Sequence, residues 1–139
     1  MIVKERILSI TKNRIACFLI FISMFVITEI GRNIYRPYIY ANDIFDFWIA
    51  DTIGNLTGTI TIIFFQLSII NPEHRMGRLL LLVIPAGLII YELAQYFSPR
   101  SICDWKDMVA TLIAGLISFG VYELLSHQFN NESIPQKEA

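Results

Sequence analysis

Four apolar blocks separated by short polar runs organise the chain, over residues 15–35, 47–70, 79–97 and 107–125. Each approaches or exceeds the roughly 20 residues that a helix needs to cross the hydrocarbon core of a bilayer. The pattern predicts an all-α integral membrane protein with four transmembrane helices packed as two helical hairpins. A basic segment over residues 1–14, with Lys4, Arg6, Lys12 and Arg14, precedes the first block. Its interspersed Ile2, Val3, Ile7, Leu8 and Ile10 fit either an amphipathic surface helix or a plain extension of the first span. Asn71 and Pro72 close the second block, Glu73, His74 and Arg75 mark a tight turn, and Pro99 follows the third block. Pro85 lies inside the third block, where a kink with a freed carbonyl is expected. Residues 126–139 read as a polar, disordered tail.

Composition sharpens this picture. Hydrophobic residues make up 55% of the 139 positions and charged ones 17%, and the mean hydropathy is +0.55. Four spans leave no room for a second, water-soluble domain. The balance of 11 Lys plus Arg against 12 Asp plus Glu excludes a strongly basic nucleic-acid binder. The first block resembles a signal peptide in outline, but Glu29-Ile-Gly-Arg32 is a poor cleavage site, so it is read as a retained helix. Seven basic residues fall with the termini and the middle turn, against Arg32, Arg36, Arg100 and Lys106 in the other two loops, which places both termini in the cytoplasm. Seven of the 12 acids gather on the opposite, outer side, at Glu29, Asp43, Asp46, Asp51, Glu92, Asp104 and Asp107. Aromatic residues from Tyr35 to Trp48, and Tyr96, Phe97 and Trp105, mark the same boundary as an interfacial belt. Cys17 and Cys103 fall on opposite sides and cannot pair.

The two halves carry a faint parallel repeat. Glu29 and Arg32, then Asp51, Asn55 and Gly58, correspond to Glu92 and Gln95, then Asp107, Thr111 and Ala114. Copies of two spans each would share one orientation. The i,i+3 pairs lie on one helix face each, and the i,i+4,i+7 sets extend polar groups down a stripe of small residues. Gly54 with Gly58, and Ala110, Ala114 and Ser118, suit close helix packing. Asp43, Asp46 and Asp104 read as solvated helix ends. Glu92 is placed about 20 Å along the third helix from a start at Leu79, a depth at which a carboxylate faces the bundle interior and needs partners. Arg32, Arg36 and Arg100 are the available cations, and Asn55, Gln95 and Thr111 the neutral partners.

Other chemistry is weaker. Glu29, Asp51, Glu92 and Asp107 are oxygen ligands, but no spacing specifies a metal. Glu123 and His127 lie one helical turn apart, an arrangement commoner in snorkelling polar pairs than in zinc sites. His74 reads as surface. No nucleophile triad, Cys-x-x-Cys pair, P-loop or dinucleotide fingerprint occurs, so no catalytic residue, metal or cofactor is assigned.

The run Glu92-Leu-Ala-Gln95-Tyr-Phe-Ser-Pro99-Arg100-Ser-Ile-Cys-Asp104-Trp-Lys-Asp107, with Thr111 and the Ala114-Gly115 step, resembles the VanZ-like family of small bacterial membrane proteins. About 35 residues carry the match. The resemblance implies a four-helix protein of the bacterial envelope, in a family whose name-giving member is associated with teicoplanin resistance. Two places depart from the family pattern. Thr111 stands where Asn is usual, and Asp51-Thr-Ile-Gly-Asn55 replaces an Asp-Lys step followed by His.

These residues predict a multi-pass protein of the bacterial plasma membrane that binds or modulates a polar or anionic envelope component, a lipid headgroup or glycolipid. The expected pocket faces the outer leaflet and comprises Glu29, Arg32, Asp51, Asn55, Glu92, Gln95, Arg100, Asp107 and Thr111. Two alternatives stay open: a lipid-modifying enzyme with Glu92 as acid or base, and a small ion- or proton-coupled transporter acting as a homo-oligomer.

Overall fold

A computed structural model describes residues 2–95, 97 and 104–131, with side chains from 12 to 128. All regular structure among the described residues is helical. Helix α1 (Ile2–Ile30) runs into a π-helical turn (Gly31–Tyr35) and then α2 (Arg36–Ala41), forming one continuous rod. Helices α3 (Ile49–Ile70), α4 (His74–Gln95) and α5 (Trp105–Asn131) follow. Four helical stretches are long and apolar enough to cross a membrane, namely Lys12–Ala41, Ile49–Ile70, His74–Gln95 and Trp105–Gln128. This is the build of a multi-pass membrane protein.

The helix ends differ from the sequence expectation in instructive ways. The basic segment is part of α1, so it extends the first span instead of forming a separate surface helix. The rod continues past Tyr35 because the π turn absorbs Pro37. Arg36 N–H donates to the Gly31 carbonyl, and Pro37, which has no N–H, enters at the start of α2. Helix α4 begins at His74, five residues before the expected Leu79, and passes through Pro85 without breaking. Helix α5 continues to Asn131, so the polar tail expected from Ser126 opens as six further helical residues. Ser126 is buried there, which is why that turn holds.

The helices alternate in direction. Arg14 Nε, near the start of the apolar span of α1, donates to the Ser68 carbonyl near the end of α3 at 2.8 Å, a cation placed where a helix C-terminus favours one. At the same end, Arg78 of α4 makes a two-pronged pair with Glu123 of α5, Nε and Nη2 at 2.6 and 2.7 Å. His74 is exposed, as its surface reading expects, and at that surface it lies 3.4 Å from the same carboxylate and stacks on the Tyr122 ring at 5.8 Å. Glu123 therefore pairs across to α4. The tight turn between α3 and α4 starts at Asn71, left-handed with φ of 46°, whose N–H caps the Leu67 carbonyl.

Helix α3 is central, packing on α1 and α5, while α4 packs chiefly on α5. The core comprises Cys17, Ile60, Ile63, Phe64, Leu67, Leu81, Ala114 and Tyr122. Close approach is set by glycines other than the pair the sequence suggested. A Cβ at Gly31 would lie 2.8 Å from Ile53 Cδ1, and one at Gly115 would lie 2.9 Å from Pro85 Cγ. Gly54 meets only the Arg32 stem, and Gly58 has nothing within 4 Å, so this pair opens space on α3 instead of closing it. Ala110, Ala114 and Ser118 are buried as expected of a packing face.

Candidate functional site

At the end opposite the Arg14, Arg78 and Glu123 contacts, four helical segments converge on one cavity. The end of the α1 rod supplies Arg32 and Arg36, the start of α3 supplies Asp51 and Asn55, the end of α4 supplies Glu92 and Gln95, and the start of α5 supplies Asp107. Ala50, Ile53 and Gly54 complete the lining, and the volume is about 350 Å³. That lies near the lower bound of the roughly 300–1,000 Å³ usual for small-molecule sites.

The loop between α2 and α3 fixes the α3 wall. Asp43, Phe47 and Trp48 are left-handed, with φ of 50°, 57° and 65°, conformations that cost of order 1–3 kcal/mol each and persist only where surroundings impose them. Asp46 supplies part of that constraint, accepting from the Ala50 N–H at 2.6 Å and the Tyr35 hydroxyl at 3.2 Å. Asp104 Oδ1 accepts from the Lys106 N–H at 3.0 Å at the start of α5. Both acids serve as helix-start acceptors, which refines their reading as solvated ends.

A polar relay then runs along one side. Arg36 Nε donates to the Tyr40 hydroxyl at 3.1 Å, and that hydroxyl donates to Asp51 Oδ1. Lys106 Nζ lies 3.6 Å from Asp51 Oδ2 and over the Trp48 ring at 5.0 Å. Asp51 is thus already partnered by a hydroxyl and a cation. Across the cavity, the Asn55 side chain lies near Asp107. Glu92 has Asp107 and Asp104 as its electrostatic neighbours and makes no hydrogen bond or ion pair among the described residues. Because α4 starts early, Glu92 lies about 27 Å from its beginning and three residues from its end. It therefore sits at the mouth of the bundle, half-buried, and not at the depth expected from a start at Leu79.

Six of the nine residues expected from the sequence line this cavity: Arg32, Asp51, Asn55, Glu92, Gln95 and Asp107. Glu29 is exposed and accepts from Asn33 Nδ2 at 2.9 Å, away from the lining. Thr111 is buried one turn below Asp107 in the bundle. Arg100, Pro99 and Cys103 lie outside the described residues. Arg36 appeared in the sequence only as an available cation, yet it lines the cavity. Its spacing of four from Arg32 carried that signal. Tyr40 and Lys106 were not legible as partners of Asp51, since both depend on loop geometry. Below the cavity, Thr28 Oγ1 donates to Thr57 Oγ1 at 2.8 Å, tying α1 to α3.

Among the described residues no three His, Cys, Asp or Glu side chains converge as a metal site. The lining can bind by charge-assisted hydrogen bonds from guanidinium groups and to carboxylates, with two amides for neutral contacts. No protein-family model, no curated protein and no solved structure matches the chain.

Proposed function

We propose that this chain is a VanZ-like integral membrane protein of the bacterial plasma membrane, with both termini cytoplasmic and the cavity facing the outer leaflet. There it binds or modulates a polar or anionic envelope component, a lipid headgroup or glycolipid, and through it affects glycopeptide susceptibility. One observation carries the reading: two arginines on one rod share a single cavity with acids and amides from three other helices. Membrane-level charges gathered this way mark functional sites more often than random placement does. Orientation rests on the segregation of basic residues at the end that holds Arg14, Arg75 and Arg78.

The architecture belongs to the same proposal. The α1–α3 and α4–α5 packings support the reading of two hairpins, joined through the α3–α5 contact. In the parallel repeat Arg32 corresponds to Gln95 and Asp51 to Asp107, and all four line the cavity. Glu29 and Glu92 occupy matching sequence positions but only Glu92 faces it.

The test is genetic. Cells carrying Arg36→Gln or Glu92→Gln in place of the wild-type chain are expected to shift in glycopeptide susceptibility to the level of a deletion strain, at unchanged protein level by immunoblot. Wild-type susceptibility and wild-type envelope-stress responses in both variants would remove the basis for a functional cavity.

A further inference from the structure

Resting on the reading of the cavity as a headgroup site, we infer that its ligand is a zwitterionic phospholipid bearing a primary ammonium, which enters sideways from the bilayer. Its phosphate sits on Arg32 and Arg36, and its ammonium sits between Glu92 and Asp107.

The charges are sorted by wall. Both lining cations belong to the α1–α2 rod, while Glu92 and Asp107 belong to α4 and α5. Asp51 is set aside from this count because Tyr40 and Lys106 already hold it. Among the described residues the remaining lining charges are two positive and two negative, a net of zero, with the cations and the acids on different helices. A net-neutral dipolar headgroup complements such a site at both ends. A purely anionic headgroup would satisfy the arginines but stand against two carboxylates, at a cost that like charges in a partly dry site impose.

The rod and α4 are also physically apart. No Cα of α1, the π turn or α2 comes within 8 Å of a Cα of α4 among the described residues. No described arginine lies within 4.0 Å of Glu92 or Asp107 in an ion pair. The seam between the rod and α4 therefore leaves the cavity open on a side bounded by two helices whose outer faces are apolar and exposed, with Ile30 and Ile34 on the rod and Ile90 and Leu93 on α4. Acyl chains fit such flanks. Among the described residues the lining contains no aromatic side chain, and quaternary ammonium groups are held by aromatic faces. Two carboxylates with the Asn55 and Gln95 amides instead suit an ammonium that donates hydrogen bonds.

The test is a titration of delipidated, detergent-solubilised full chain by native mass spectrometry. The probes are dioctanoyl phosphatidylethanolamine, phosphatidylglycerol and phosphatidylcholine, and free phosphoethanolamine. Phosphatidylethanolamine is expected to bind about tenfold tighter than the other two lipids, the ratio that one charge-assisted contact supplies. Free phosphoethanolamine is expected to bind at least about tenfold more weakly than the lipid, since it lacks the acyl chains that lie on the apolar flanks. In Glu92→Gln the advantage over phosphatidylglycerol should fall to within about threefold, as one ammonium contact is lost. In Arg36→Gln both lipids should weaken together. The wild-type ranking tests the proposal even if a variant does not fold. Equal binding of phosphatidylglycerol overturns the zwitterion assignment, equal binding of phosphatidylcholine overturns the primary-ammonium assignment, and either leaves the headgroup reading intact. Free phosphoethanolamine binding as tightly as the lipid overturns sideways access from the bilayer. No saturable lipid binding overturns the headgroup reading itself.

Discussion

Gly77→Val is expected to lower stability by about 3 kcal/mol, the upper part of the range for overpacking a filled core. A Cβ at Gly77 would fall 2.0 Å from the Tyr122 hydroxyl oxygen and 2.5 Å from Cζ. The Tyr122 ring cannot swing aside: it is 2% exposed and stacked by His74 with an interplanar angle of 12°. The α4 and α5 backbones would have to separate, loosening the Arg78–Glu123 pair beside them. Unfolding of the purified protein, followed by helical circular dichroism against denaturant, reads the loss directly. In Tyr122→Ala the same valine should cost far less, because the obstructing ring is gone, giving a double-mutant coupling of the sign expected for a direct contact. Wild-type stability in Gly77→Val would mean that α4 and α5 do not meet there.

Glu92→Gln has the opposite expected sign. Glu92 sits beside Asp107 and Asp104 and makes no ion pair among the described residues. Neutralising it in the lipid-free protein removes like-charge repulsion and part of a desolvation cost, so stability should rise by about 1 kcal/mol. A residue kept for binding at the expense of stability behaves in this way. If Glu92 were instead one half of a structural ion pair, breaking the pair would cost about 3–5 kcal/mol. The two accounts differ in sign, and one denaturation curve without lipid separates them.

How far the sequence reached follows from which forces act locally. Span number and alternation were legible because hydropathy and length are summed over about 20 residues, and no single side chain decides them. The grouping of Arg32, Asp51, Asn55, Glu92, Gln95 and Asp107 was legible because all lie at helix ends that alternation brings to one side. The π turn was not, because it depends on which carbonyl the Arg36 N–H finds. The start of α4 at His74 was hidden by the polar look of Glu73, His74 and Arg75, among which His74 meets Glu123 and Tyr122 of α5. Glycine spacing pointed to Gly54 and Gly58, yet the tight contacts fall at Gly31, Gly77 and Gly115, where the partner side chain decides. Glu29 shares the spacing of Glu92 but faces outward, since i,i+3 spacing fixes a shared face and not its direction.

Whether the cavity beside Arg32 and Arg36 holds an envelope lipid is decided by native mass spectrometry of the chain extracted gently from its own membrane, wild type beside the Arg32→Gln, Arg36→Gln double variant. A defined lipid or glycolipid adduct is expected on the wild type and absent from the double variant at equal helical content. The same adduct on both proteins, or none on the wild type, would contradict lipid binding there.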